Sequence, residues 1–495
     1  MNNEVASILE AIKIHAKETP DKLCAGDKKK SATYSEFWDM IQRAATYLKN
    51  SGVRKDSIVV IRGVQKVEYL VAALGIQLAG AAYLPLEKAV KDDRILEIMK
   101  FVEADVYVAE KPVNNENVKN ISLKELLKIV TDKTSPIETF EMPKSNQLTE
   151  ILFTTGTTGK SKGIEVTFKT DIAIAQNVID SVEMGKDEVE LLSTPINHSL
   201  AIRRFYGAMY NGSTAILTDG FVFVEDFFKL LDNYKITAIT FVPAILDMVL
   251  KFAKDRFATY DSQFNYIQMG SAPLSEADKE LLTKMFPTVR LYNTYGATES
   301  GCTVILEFNK YADKKNCIGR TTVNTTIFFV DENRNEIEAS FKNPGYMAFK
   351  GDMNMRGYYK EPEITKEALE NGNIYTNDLG YVGDDGLVYL LGRKGDVINM
   401  GGLKIAPTEI EEVVVTHEKI KDCACIPIKD EITGEAPKLF VVMNDGCEFD
   451  RKEITKFMLN KLEAFKVPKV FEVIDEIPRT FNGKIIRKKL KELNK

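Results

Sequence analysis

The sequence predicts an α/β protein in two parts. A large, multi-lobed N-terminal domain with mostly parallel sheets and a small β-rich subdomain spans residues 1–393, and a small α+β C-terminal domain spans 394–495. Three observations predict it. At 495 residues the chain is too long for one compact core. Its first half alternates helical and strand patterns, as a mostly parallel sheet requires. After about Gly301 the texture changes to short apolar runs broken by turn-rich segments, and near Arg393 it changes again to a compact helix, strand, turn, strand pattern.

The elements follow in order. TYSEFWDMIQRAATYLKNSG (33–52) reads as an amphipathic helix ending at a glycine cap. SIVVIRG is a short buried strand, VEYLVAALGIQLAG a helix and AAYLPL another strand. The run from Tyr69 to Leu86 is nearly long enough to span a bilayer, but it holds Gln77, many small residues and Pro85, and reads as a buried helix followed by a strand. Strands running into turns return in TAILTDG, ITAITFVPA and FNYIQMGSAPL. The β-rich region contains TTIFFVDENRNEIE, GYMAFKGDM and GLVYLLGR. The C-terminal module is built on KIAPTEIEEVVVTHEKIKDCACIPIKDEITGEAPKLFVVMN.

Composition narrows the function. The chain is 44% hydrophobic and 28% charged with a net charge of -6, an ordinary soluble balance that speaks against a nucleic-acid binder. The polar, amphipathic N-terminus has no basic start followed by an apolar core, so no signal peptide is expected. Six cysteines fit no zinc spacing, and three histidines make a histidine-rich metal site a poor fit. So few cysteines suit a reducing cytosol, and a cytoplasmic protein without an integral membrane segment is expected.

Residues 151–163, ILFTTGTTGKSKG, carry the first chemistry. An apolar strand enters a loop of Thr154, Thr155, Gly156, Thr157, Thr158, Gly159 and Lys162. Glycines let backbone approach a phosphate, N–H and hydroxyl groups donate to its oxygens, and lysine adds charge. A Walker A loop would need glycine at Thr154, and no Gly-x-Gly-x-x-Gly follows a strand here, so the P-loop, kinase and Rossmann motifs are absent. The loop resembles the signature of the adenylate-forming superfamily: acyl-CoA and aryl-CoA ligases, peptide-synthetase adenylation domains and luciferases. Lys162 falls on that pattern's lysine, Lys160 on its variable position, and Ser161 replaces its usual proline.

The resemblance extends across nearly the whole chain. GSAPL, with Gly270, Ser271, Ala272 and Pro273, is similar to the family's adenine-pocket turn. NTYGATES (293–300) matches a pattern whose roles carry over as expectations: Tyr295 stacks on adenine, Asn293 meets its amino group, Thr298 meets phosphate and Glu299 holds Mg²⁺, with Gly296 also in the nucleotide site. Asp378 falls on the ribose-binding aspartate and Arg393 on the arginine that also reaches the ribose. Alone, each would read as a turn cap and a surface ion pair. PRTFNGKIIRKKL places Lys484 on the catalytic lysine, and the basic run after it reads as a solvated helix face.

This resemblance implies attack of a carboxylate on ATP, with Lys484 and Mg²⁺ balancing charge, and then thioester formation after the C-terminal domain rotates. The expected hinge is Gly395, with Asp396 next. His198 aligns with a residue gating the acyl pocket in CoA ligases. No acidic residue lies between Pro195 and Gly212, which argues against an α-amino acid. Arg203 and Arg204 could meet an acidic substrate tail or CoA phosphates, but read better on a solvent face or against the C-terminal domain. MGGLKIAPTEIE resembles CoA ligases, with Gly401 and Gly402 lining a thiol tunnel. The expected ligands are ATP, Mg²⁺, CoA and a small carboxylic acid. Two rivals stay open: an enzyme loading a separate phosphopantetheinyl carrier protein, and a non-catalytic nucleotide binder. The intact Lys162, Glu299, Asp378, Arg393 and Lys484 speak against the second.

Overall fold

The computed structural model describes residues 5–63, 65–154, 162–218, 221, 223–480 and 483–493. The first lobe starts as the sequence predicts. Thr33 and Glu36 form a capping box at the helix Tyr34–Asn50, a feature of about 1 kcal/mol. The strand Ile58–Arg62 pairs in parallel with Ala82–Leu86 on one side and Val106–Ala109 on the other. Leu148–Thr154 and the antiparallel Lys162–Thr167 extend this sheet to seven strands among the described residues, and Gly357–Tyr358 closes its edge.

The helix Val67–Leu78 is buried along its whole length. Its small residues let it approach the helix Tyr34–Asn50 closely: a Cβ on Gly75 would stand 2.6 Å from the Cβ of Ala44. That packing accounts for the long apolar run. No helix among the described residues is long and apolar enough to cross a membrane.

A second sheet carries the parallel strands Val189–Leu192, Thr214–Leu217, Ala238–Phe241, Tyr266–Met269 and Arg290–Ala297. The chain then reverses into Gly301–Glu307, which pairs with Cys317–Thr321. Through that strand the predicted β-rich region joins the sheet edge to edge, giving fourteen strands among the described residues. Two helices, Phe168–Val182 and Ser199–Asn211, lie between the two sheets.

Burial between two sheets corrects the reading of Arg203 and Arg204. Both are buried, and neither faces solvent or the C-terminal domain. Arg203 reaches the seven-stranded sheet, pairing with Glu150 at 2.7 Å and with Asp171. Its neighbour turns the other way: Arg204 forks onto both oxygens of Glu190 at 2.7 Å and donates to the Tyr266 hydroxyl at 2.7 Å. Consecutive arginines thus tie one helix to two sheets. Removing one partner would leave a buried charge, at a cost of about 3–5 kcal/mol.

After Arg393, the last residue of the strand Val388–Arg393, the chain enters a separate five-stranded sheet among the described residues, beginning with Ile398–Met400 and Leu403–Ile405. Its long hairpin, Ile420–Asp430 and Gly434–Met443, packs with the helices Pro407–Val414 and Arg451–Leu459 over a core of its own. Gly401 and Gly402 form the tight turn between the first two strands, with φ of +60° and +93°. Two positive φ values at the centre of a hairpin are what make a glycine pair favourable there.

Candidate active site

The site collects at the ends of strands from both large sheets, with the C-terminal domain against them. Tyr295 lies in the strand Arg290–Ala297, and Asp378 and Arg393 face each other in register on Asn373–Val382 and Val388–Arg393. The Tyr295 hydroxyl donates to Asp378 Oδ2 at 2.5 Å, and Arg393 Nε donates to Oδ1 at 3.2 Å. Thr376 Oγ1 accepts from the Asp378 backbone at 3.1 Å. The carboxylate is thus oriented from both sides, yet each oxygen keeps a lone pair for a ligand hydroxyl. Asp378 is a strand residue, not the turn cap it would suggest alone.

Lys484 enters from the C-terminal domain. Burial and the positive charge of Arg393 hold its ammonium below the usual lysine range, while Asp378 and Asp396 oppose them. Its backbone N–H donates to Thr480 Oγ1 at 3.2 Å. Arg479, in the same motif, forks onto Asp422 at 2.8 and 3.2 Å and donates to the Gly483 carbonyl at 2.7 Å. This network holds the described backbone beside the lysine.

Around the expected adenine turn, Ser271 adopts a positive φ of 71° between Gly270 and Ala272. A Cβ on Gly270 would meet Leu200 at 3.3 Å, so the helix Ser199–Asn211 presses close on this turn. Asn293 Oδ1 is buried with no hydrogen-bond partner among the described residues, an acceptor suited to an exocyclic amine. Gly296 cannot carry a side chain: its Cβ would fall 1.9 Å from the Gly301 carbonyl.

Thr298 and Glu299 sit in the turn between Arg290–Ala297 and Gly301–Glu307. The Glu299 carbonyl accepts from the Met355 backbone at 2.7 Å, and its Oε1 accepts from the Tyr358 hydroxyl at 2.9 Å. Lys162 opens its strand in register with Thr154, and its ammonium stands 4.9 Å from the centre of the Tyr358 ring. The predicted loop residues Thr155, Gly156, Thr157, Thr158 and Gly159 lie outside the described residues.

His198 caps the N-terminus of Ser199–Asn211, and its Nε2 lies 3.2 Å from Glu87 Oε1. Burial lowers its pKa and the Glu87 carboxylate opposes that. Gln65 steadies the approach: it donates to the Thr194 carbonyl at 2.6 Å and accepts from Ile196 N at 2.7 Å. Gly395 has a φ of +80°, and Lys491 holds its carbonyl at 2.6 Å and Asp396 Oδ1 at 2.7 Å. Glu87, Gln65, Tyr358 and Lys491 are absent from the sequence prediction. Only tertiary packing brings them to the site.

Residues 12–359 match the AMP-binding enzyme family and residues 409–484 its C-terminal domain. Curated relatives include the peroxisomal OPC-8:0-CoA ligase 1 of Arabidopsis thaliana, 27% identical over 92% of this chain and 88% of that protein. The 4-coumarate–CoA ligase 1 of Petroselinum crispum is 27% identical over 95% of this chain and 91% of its own length. Among solved structures, the o-succinylbenzoate CoA synthetase of Bacillus subtilis with its acyl-adenylate superposes with a TM-score of 0.83 at 22% identity, covering 99% of this chain and 98% of that one. An anthranilate CoA ligase with anthranoyl-AMP gives a TM-score of 0.85 at 18% identity, over 99% and 97% of the two chains. With both family regions matched in order over most of its length, the chain belongs to the AMP-binding enzyme family.

Proposed function

We propose that this chain joins a carboxylic acid to ATP as an acyl-adenylate, releasing pyrophosphate, and then passes the acyl group to the thiol of CoA. The observation that carries this reading is the Asp378–Arg393–Tyr295 cluster, whose charges act on Lys484 of the C-terminal domain. The substrate carboxylate is already ionised at neutral pH, so no general base is needed, and the task is to align two anions and offset their charge. Lys484 serves at the carboxylate and α-phosphate, Asp378 and Arg393 hold the ribose, and Lys162 with the 154–162 loop serves the leaving pyrophosphate. In the second step the thiol sulfur attacks the acyl carbon and AMP leaves.

Mg²⁺, when bound with ATP, supplies charge neutralisation across the phosphate oxygens. Glu299 would hold it: with Oε1 engaged by Tyr358, Oε2 stays open to a cation. No cluster of three or more acidic, cysteine or histidine side chains that could hold a metal occurs among the described residues. A lone carboxylate suits a metal that takes its other ligands from phosphate and water. His198 would border the acyl group, Gly401 and Gly402 the pantetheine arm, and Gly395–Asp396 the pivot between a domain over 1–393 and one over 394–495. The cysteines are all free, which fits a reducing, cytoplasmic setting.

The test is pyrophosphate exchange into ATP across a panel of carboxylic acids, followed by CoA. An acid that supports exchange is expected to yield acyl-CoA and AMP when CoA is added. Exchange without thioester at saturating CoA would shift the acceptor to a carrier protein, and no exchange with any acid would defeat adenylation itself.

The docked orientation carries a pH dependence. Glu412, on the helix Pro407–Val414, is pushed up to about 7 by burial and by Glu276 across the interface, while Lys279 opposes this and Glu411 and Glu409 add to it. Undocked, it would titrate near the ordinary carboxylate value. Raising pH from about 4.5 to about 7 therefore removes a proton that docking favours, and the Lys484-in orientation weakens through that window and stays weakened above it. The ratio of adenylation to thioester formation is expected to fall several-fold across it. Glu412→Gln should flatten the dependence; an unchanged profile in that variant would rule the residue out.

A further inference from the structure

The geometry points to Tyr358 as a positioning residue that couples the phosphate-loop lysine to the metal-binding glutamate, an assignment resting on the adenylation reading above. Its two ends meet opposite charges. The hydroxyl donates to Glu299 Oε1 at 2.9 Å, and the face of the ring lies 4.9 Å from the Lys162 ammonium. A tyrosine that only filled a core would need neither contact.

The backbone beneath it is fixed on two sides. The short strand Gly357–Tyr358 lies antiparallel to Lys162–Thr167, with Tyr358 opposite Ile164, and Tyr359 N donates to the Gly163 carbonyl at 2.7 Å. Tyr358 N donates to Thr365 Oγ1 at 2.9 Å. Tyr358 therefore rides on the strand that Lys162 begins, while Glu299 belongs to the other large sheet's turn. Met355, three residues earlier, clamps the Glu299 carbonyl at 2.7 Å. One segment thus grips both the backbone and the side chain of Glu299.

Two consequences follow. Occupying Oε1 with the phenol leaves Oε2 as the cation-facing oxygen, so Glu299 offers one oxygen in a set direction. The ring's negative face holds the Lys162 ammonium without an ion pair to that carboxylate, keeping both charges for the ATP phosphates and their cation.

The test is equilibrium binding of ATP, with and without Mg²⁺, to the full chain and to two variants. Tyr358→Phe keeps the ring and loses the hydroxyl; Tyr358→Leu loses both. For Tyr358→Phe, the Mg²⁺ concentration that half-maximally enhances ATP binding is expected to rise about 5–20-fold, the scale of one hydrogen bond to a charged group. Affinity for AMP and for metal-free ATP should stay within about twofold of the unmodified protein. Tyr358→Leu should in addition weaken metal-free ATP by about 3–10-fold, the scale of a partly desolvated cation–π contact. An unshifted Mg²⁺ midpoint in Tyr358→Phe would overturn the assignment. So would an equal loss for AMP, metal-free ATP and Mg–ATP, which marks a purely structural tyrosine. Binding is read without acid or CoA, so this result stands apart from whether the unmodified chain performs acid-dependent pyrophosphate exchange.

Discussion

Lys484→Ala is expected to cut acyl-adenylate formation by about 10²–10⁴-fold, the scale of losing one electrostatic stabiliser in a preorganised site. The residue is half-buried, and burial, with the charge of Arg393, holds its ammonium below the ordinary range. Its loss leaves the attacking carboxylate facing the triphosphate with less compensation. Thioester formation from supplied acyl-AMP should survive, because in the proposed mechanism that step follows a turn of the C-terminal domain. Rapid-quench measurement of each half-reaction decides the matter. Equal loss in both would mean that Lys484 supports the fold or the nucleotide, not the adenylation step.

Gly395→Pro is expected to slow adenylation by at least about tenfold while sparing the second half-reaction. In the orientation that turns Lys484 inward, Gly395 holds φ at +80°, and proline is locked near -65°. A Cβ there would meet nothing within 4 Å, so the penalty comes from the backbone angle and not from a clash. The Lys491 contact to the Gly395 carbonyl should be lost with it. Gly395→Ala should give a milder version of the same asymmetry, since a residue with a Cβ reaches the left-handed region at a cost of about 1–2 kcal/mol. If both half-reactions keep their rates in the proline variant, the pivot lies elsewhere, with Asp396 the next candidate.

How much was legible in the sequence depends on how far apart the partners lie. The amphipathic helix Tyr34–Asn50, the buried helix Val67–Leu78 and the C-terminal hairpin follow from local pattern, and they stand where the pattern put them. Asp378 and Arg393 were legible because they lie in a recognisable segment, and the antiparallel pairing then sets them opposite each other. Tyr358, Glu87 and Gln65 were not, because each acts on a residue 59 to 131 positions away, brought near only by the stacking of two sheets. Arg203 and Arg204 misled for a related reason. Charge on a helix suggests water, but this helix has a sheet on either side, and its acidic partners Glu150 and Glu190 lie on strands of those two sheets.

The Arg203 contact also fixes a proton inventory. One guanidinium stands between two buried carboxylates, Glu150 and Asp171, while Tyr83 and Tyr206 donate to Glu150 Oε2 at 2.6 and 3.1 Å. Burial first, and the Glu150 charge second, drive Asp171 well above its usual range. The folded chain therefore keeps a proton on Asp171 at a pH where the unfolded chain has released it. Folding takes that proton up from the solvent, and unfolding returns it. Because the native state binds the extra proton, this site's contribution to stability declines as pH rises above the ordinary aspartate value. The heat of unfolding then includes the ionisation heat of whichever buffer accepts the proton. This buried side-chain cluster thus makes the apparent unfolding enthalpy of the protein depend on the choice of buffer.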